Sequence, residues 1–429
     1  MLRDEVVALQ ATLSRATVKT SNVRIQLTSR ATNWATRLAQ PQGRRAEMQA
    51  CATSHLTCMA DVSGGLPAES PIGARAQSVI EQGGADVTRL MRIALLGPIA
   101  WRTPPLHYGP WEQITSSLAE GLVARGIDVT LFATLDSQTA AKLAGVCPTG
   151  YEGQHGVDGR IWEALHVSHA LARSGEFDLI HNHLDWLPLA FAQHSKAPLL
   201  TTIHGFSGRG ILPAYVNARA SAFVSISDAD RAPELEYEAT IHHGIDLNAL
   251  PLSAAGGEAL VAFGRIHPDK GTAEAIEIAR LAGRRLVICG IVQDASYFRE
   301  QVEPHIDGDR VRYLGSVGPE RRAEVLGSAA VLLHPIGFDE PFGLSVVEAM
   351  ACGTPVISYP RGSLPEIVDE GTTGWLVDGV ASAARRVDAA AALDRRAIRR
   401  VAERRFGVDR MVDEYLALYR RLLGRASAV

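Results

Sequence analysis

The sequence predicts an α/β protein made of two successive parallel-sheet units facing each other across a cleft. Three observations carry that prediction. From Met91 onward, short apolar runs alternate with amphipathic segments, the pattern of strands buried on both faces of a parallel sheet. The alternation pauses once, in the Pro/Gly/Ala/Ser-rich stretch 251–259, and then restarts. The chain of 429 residues is long enough for each unit to bury its own core.

Composition narrows the function classes. With 43 Lys+Arg against 47 Asp+Glu, the chain lacks the basic excess a dedicated nucleic-acid binder needs to release counterions. A hydrophobic fraction of 46% excludes wholesale disorder. No apolar run approaches the ~18–20 residues that span a bilayer. The first twenty residues lack the apolar stretch of a secretory signal. Cysteines 51, 58, 147, 289 and 352, odd in number and irregular in spacing, make no disulfide framework. These features predict a reduced, cytoplasmic protein.

Taken in order, residues 1–90 are rich in Ser, Thr, Ala, Gln and Arg and hold no sustained period. They read as a disordered extension, or as the product of a mis-assigned start with Met91 the true first residue. Strands are predicted at 92–97, 128–133, 178–183, 198–205, 222–227 and 238–244, with helices over 111–126 and 159–175. After 251–259 come strands at 259–265, 285–290, 311–315, 329–335 and 355–359. The domains expected are 91–252 and 253–407. A last helix, 408–429, has an apolar face of Met411, Tyr415, Leu418 and Leu422, and its neighbouring arginines read as solvated surface.

Ligands of open α/β sheets sit beyond the carboxyl ends of the strands, so the loops there carry the chemistry. In GRIHPDKG (264–271), Arg265 ends a strand and Lys270 starts a helix, so the two can converge on one anion. In HPIGFDEPFGLSVVEAMACGTPVIS (334–358), Gly343 and Leu344 open a helix whose unused N–H groups form an anion cradle. Glu348, a turn inside that helix, suits a vicinal diol such as a ribose. Glu340, before it, suits a sugar bound beyond the phosphates.

These loops resemble the retaining glycosyltransferases of family 4, whose two Rossmann-like domains form the GT-B fold. The match rests on E-x7-E (Glu340 to Glu348), GR-x4-KG (Gly264 to Gly271) and RGSLPEIVDEGTTGWLVD (361–378), and covers about 91–425. The resemblance implies that Arg265 and Lys270, with Gly343 and Leu344, bind the donor diphosphate. Glu348 would take the ribose hydroxyls, and Glu340 with the amides of Phe342 and Gly343 would hold the donor sugar. It further implies a metal-independent, cofactor-free transfer from a UDP- or GDP-sugar to the hydroxyl of a small molecule or glycan, with retention. Same-face attack is the preferred course, and a Glu340 nucleophile the weaker one.

The N-terminal unit should then take the acceptor. His204 ends a strand and resembles the family's histidine beside the donor sugar and the attacking hydroxyl. Gly109, Trp111, Glu112 and His183 are expected on the acceptor side. Pro110 and the single glycine of Tyr108-Gly109-Pro110-Trp111 depart from the family's two-glycine loop, and His243 stands where asparagine is common.

Competing patterns are present. HNHLD (181–185) also fits an H-x-H-x-D metallohydrolase run. Asp228/Asp230 and Asp307/Asp309 fit D-x-D metal binding, although a helix N-cap for the first and a turn for the second account for them better. No strand runs into G-x-G-x-x-G, which argues against a dehydrogenase. A nucleotide-sugar epimerase or phosphorylase on the same fold, or a non-catalytic nucleotide-sugar-binding protein, remain as alternatives, as does peripheral attraction of the C-terminal arginines to anionic lipid.

Overall fold

The computed structural model describes residues 90–205 and 209–426, and the expectation for residues 1–90, Cys51 and Cys58 included, lies outside them except at Leu90. Two all-parallel sheets organise the described chain. The first has seven strands in the order β3-β2-β1-β4-β5-β6-β7. They are β1 (Arg92–Leu96), β2 (Asp128–Phe132), β3 (Lys142–Ala144), β4 (Leu179–Asn182), β5 (Leu199–Ile203), β6 (Ala222–Ser225) and β7 (Ala239–Thr240). Helices α1 (Pro110–Ala124) and α2 (Gly159–Ala172) cross between strands.

The second sheet has six strands in the order β10-β9-β8-β11-β12-β13. They are β8 (Leu260–Phe263), β9 (Leu286–Cys289), β10 (Val311–Tyr313), β11 (Val331–His334), β12 (Val356–Ser358) and β13 (Gly374–Leu376). Its helices include α3 (Thr272–Leu281), α4 (Pro319–Ser328), α5 (Leu344–Ala351), α6 (Leu364–Ile367), α7 (Val380–Ala391) and α8 (Arg395–Phe406). The predicted strands fall on observed ones. Strands β3 and β13 are additions, each only three residues long and at a sheet edge.

In each sheet the strand order reverses once, between β1 and β4 and between β8 and β11. Loops leaving adjacent strands at such a point diverge to opposite faces and open a crevice. The loops after β8 and β11 are those holding Arg265, Lys270 and Glu340.

The chain passes between the two units twice at one place. Ile245 pairs with Gly407, its N–H donating to the Phe406 carbonyl (2.8 Å) and its carbonyl accepting from the Val408 N–H (3.0 Å). This crossing differs from the linker expected at 251–259. That segment is instead stitched to the second unit, with Ser253 N–H donating to the Cys352 carbonyl and Arg395 donating to the Ser253 carbonyl.

After Gly407, helix α9 (Val408–Ala426) returns to the first unit. Met411, Val412, Tyr415, Leu418 and Tyr419 are buried there with Ile114, Leu118 and Leu122 of α1. The helices lie so close that a Cβ on Gly121 would come within 2.5 Å of Val412 Cγ2. The arginines around α8 and α9 correct the solvated-surface expectation in part. Arg395 donates to the carbonyls of Ser253, Ala329 and Gly327 and to Thr354 Oγ1, while Arg399 reaches those of Ala351 and Leu247. Arg404 fits the expectation and is exposed.

Candidate functional site

The loop after β8 turns through Pro268-Asp269 and delivers Lys270 just before α3. Gly271 makes the turn possible: its φ of 65° is left-handed, and a Cβ there would lie 1.9 Å from the Pro335 carbonyl oxygen. The β8 loop can therefore press against the β11 loop. Arg265 is held ready by Asp269 Oδ2 (2.6 Å) and Gln293 Oε1 (2.8 Å). Lys270 Nζ donates to Glu340 Oε2 (2.6 Å), and His334 Nε2 stands 3.5 Å from the same oxygen. Burial would raise the Glu340 pKa, but His334 and Lys270 outweigh it and hold the carboxyl at about 2. Glu340 is thus an anion.

Gly343, at φ 88°, starts α5, and its carbonyl accepts from the Val346 and Val347 N–H groups. Leu344 and Ser345 stay at the open amino end of the helix, where first-turn N–H groups lack helical partners. Phe342 closes the floor behind them, edge-on to His243 with ring centroids 5.0 Å apart. One turn along α5, Glu348 Oε1 accepts from Arg322 Nη1 (2.9 Å).

Across the crevice, the loop after β1 carries His107, Tyr108 and Gly109 into α1, where Trp111 stacks on His204 with centroids 5.3 Å apart and planes 23° apart. A cavity of about 370 Å³ lies between the units and is lined from both. Arg265, Lys270, Glu340, Phe342, Gly343, Leu344 and Glu348 line it from the second unit, and Gly109, Trp111 and His204 from the first. The structure thus gathers residues spread over some 240 positions of sequence around one space.

Two residues expected on the acceptor side do not line it, which corrects their placement. Glu112 is folded back beneath the β1 loop, where it accepts from the Trp101 N–H (3.1 Å) and is only 3% exposed. Burial pushes its carboxyl up to about 7 against the pull of backbone donors. His183 is fully buried behind His204, its Nδ1 sharing a hydrogen bond with His204 Nε2 (2.9 Å).

His204 Nδ1 shares a second hydrogen bond with His243 Nε2 (3.3 Å), so both ring nitrogens of His204 are engaged by neighbouring histidines. Behind His183, His181 meets Tyr419 and Thr202. Burial holds His204, His183, His181 and His243 well below the ordinary histidine range, which makes this a chain of neutral rings.

The H-x-H-x-D run is accounted for by those contacts. His181 and His183 belong to the histidine chain, and Asp185 accepts from the Tyr215 hydroxyl. Among the described residues no group of three or more His, Cys, Asp or Glu is arranged to hold a metal ion. Of the D-x-D pairs, Asp307 Oδ1 accepts from the Asp309 and Val311 N–H groups in a turn. Asp228 Oδ1 accepts from Thr240 Oγ1, and it caps no helix: Ser227 Oγ accepts from the Asp230 N–H there instead. Among the described residues no helix is long and apolar enough to cross a membrane.

Arg322 and His243, both lining the cavity, were missed as site residues by sequence reasoning. Arg322 lies inside α4 in an Arg-Arg pair, with nothing local to set it apart from its exposed neighbour.

Known proteins give the arrangement a family. Residues 252–403 match the family described as Glycosyl transferases group 1, and residues 112–249 match Glycosyltransferase Family 4. A D-inositol 3-phosphate glycosyltransferase of Saccharomonospora viridis is 32% identical over 313 residues, spanning 58% of this chain and 72% of the relative. A glycogen synthase of Mycobacterium tuberculosis is 29% identical over 372 residues, spanning 72% of this chain and 88% of the relative. Among solved structures, AviGT4, a glycosyltransferase involved in Avilamycin A biosynthesis, superposes with a TM-score of 0.62 at 27% identity, covering 78% of this chain and 98% of its own. The two facing α/β units are those of a GT-B glycosyltransferase. The chain belongs to the group 1 glycosyltransferases and is an enzyme of the transferase class.

Proposed function

We propose that the protein transfers a hexose-type sugar from a nucleoside diphosphate sugar, UDP- or GDP-linked, to an acceptor hydroxyl, retaining the anomeric configuration and without a metal. The observation that carries this reading is the convergence of Arg265, Lys270 and the amino end of α5 on one cavity at the strand-order reversal. Two side-chain cations and a helix amino end match a diphosphate, whose negative charge grows as the bond to the sugar breaks. Lys270 exchanges Glu340 for the phosphate on binding. Glu340 then accepts from sugar hydroxyls, with the amides of Phe342 and Gly343 beside it, and Glu348 accepts from the ribose diol.

His204 and Trp111 wall the reacting centre on the acceptor side, close to Gly109. With both nitrogens engaged and the ring neutral, His204 shapes that wall and does not serve as the base. The acceptor proton passes instead to the leaving diphosphate as the hydroxyl attacks from the same face, a course that needs no protein nucleophile. The D-inositol 3-phosphate and glucan transferases among the relatives favour a polyol or glycan acceptor.

Calorimetric titration of the full-length protein with UDP, GDP, ADP and dTDP tests the donor site. One nucleotide is expected to bind, and Arg265→Ala to weaken it roughly ten- to hundredfold, since a charge-assisted hydrogen bond contributes ~1.5–3 kcal/mol. Unchanged affinity in the folded variant would sink the assignment. Binding without transfer to any offered polyol or glucan would favour the non-catalytic alternative.

A further inference from the structure

Arg322 is the one cavity-lining arginine that the donor reading above leaves without a role. It leaves the first turn of α4 and is only 20% exposed along its side chain. Nη1 donates to Glu348 Oε1 (2.9 Å) and Nη2 donates to the His107 carbonyl (2.9 Å). The guanidinium carbon sits 5.6 Å from the centre of the Phe263 ring, while Nε is buried with no partner. Arg321, its neighbour, pairs at the surface with Glu324, so the two arginines do different things.

The two Nη contacts belong to different units of the molecule. Glu348 is on α5 of the second unit, and His107 is on the loop after β1 of the first. A guanidinium is planar and its donors have fixed directions, so a carboxylate paired with it is held in one rotamer and one plane. A flexible ammonium would restrain it less. Glu348 keeps its second oxygen without a protein partner among the described residues, in a cavity it lines.

Resting on the donor reading, we infer that Arg322 is the positioning residue that aligns Glu348 with a ribose diol. Through His107 it also ties nucleotide occupancy to docking of the acceptor-side loop. Its function is therefore to make the ribose hydroxyls count in donor selection, which is a different task from neutralising the diphosphate.

The test is calorimetric titration of the full-length protein with UDP and with GDP, each beside its 2′-deoxy form. Wild type is compared with Arg322→Ala, Arg322→Lys and Glu348→Ala. Wild type should prefer the ribonucleotide by about tenfold or more, the effect of a hydrogen bond to a charged group. Arg322→Ala should lose most of that preference while binding the deoxy form almost as well as wild type does. Arg322→Lys should recover part of it, because one cationic donor can still reach Glu348. A merely structural arginine would lower both affinities together and leave their ratio intact, and that result overturns the inference. Should Arg322→Ala fail to fold, the lysine variant carries the same comparison, with an unchanged ratio again overturning it. If Glu348→Ala abolishes the preference and neither Arg322 variant alters it, the inference fails and the donor reading stands. If Glu348→Ala binds every nucleotide as wild type does, the donor reading itself fails. Failure of wild type to bind either nucleotide overturns both.

Discussion

At the scale of single residues, the second unit's side of the site is a set of charges already paired with one another: Arg265 with Asp269, Lys270 with Glu340, and Arg322 with Glu348. Glu340 is the most consequential, because burial opposes its charge and only Lys270 and His334 sustain it. Its folded pKa of about 2 lies below the ordinary glutamate value of about 4.3. A depressed carboxyl stabilises the fold above the unfolded pKa and loses that contribution as pH falls through the folded one. The contribution is on the order of 3 kcal/mol. Denaturant unfolding of wild type and Glu340→Gln should therefore show a gap at pH 7 that narrows between about pH 4.5 and 2. A gap that stays constant with pH would mean that the ion pairs do not sustain the charge. Arg265, Lys270, Glu340 and Glu348 were legible in the sequence because each falls at a fixed spacing in a strand-to-helix loop or in the helix that follows it. Arg322 was not, since its partners His107 and Glu348 come from two other elements and no local signal marks them. His181 and His183 were visible as an i, i+2 pair, but their hydrogen-bonded continuation to His204 and His243 needs neighbouring strands to be brought side by side.

At the scale of elements, strand positions were legible where both faces are buried, since a continuous apolar run has no other use. Strands β3 and β13 were not, because three-residue edge strands are defined by pairing with a neighbour more than by their own residues. Helix α8 shows a related limit. Its arginines look alike in sequence, yet Arg395 is buried and its donors reach the carbonyls of Ser253, Gly327 and Ala329, which tie α8 to the ends of other elements. No carboxylate pairs with it in these contacts; carbonyls and Thr354 satisfy its donors. Arg395→Met fills similar space but strands several buried carbonyls, each costing about 1–3 kcal/mol unsatisfied. A loss of roughly 3–5 kcal/mol in urea unfolding is expected. Arg404→Ala, at an exposed position one helix face away, should stay within about 0.5 kcal/mol. Equal effects from the two would show that Arg395 is not the rivet its contacts describe.

At the scale of the whole molecule, the two units meet at a narrow double crossing beside Ile245 and Gly407 and across the cleft itself. Such a crossing concentrates rotation in a few backbone torsions, the geometry of a hinge. What resists opening is then a small set of contacts between the units. Glu366 of α6 makes one of them: its carboxylate accepts from the N–H groups of Asp228 (3.0 Å) and Ala229 (2.6 Å) after β6, with His242 Nε2 3.3 Å away. Pro341 closes over Gly205, where a Cβ would come within 2.7 Å of Pro341 Cγ. Hydrogen bonds to a charged group contribute about 1.5–3 kcal/mol, so losing the Glu366 latch should shift the open–closed balance by at least about tenfold. Small-angle scattering of Glu366→Ala should give a larger radius of gyration than wild type without ligand. Saturating nucleotide should draw the two together, because nucleotide on Glu348 favours docking of the loop after β1 through Arg322 and His107, and with it the closed form, whatever the latch contributes. The variant should therefore bind nucleotide more weakly by the factor its opening imposes. An unchanged radius with normal affinity would mean that the Glu366 contacts follow closure and do not hold it, leaving Arg322 and the Pro341–Gly205 contact as what keeps the cleft shut.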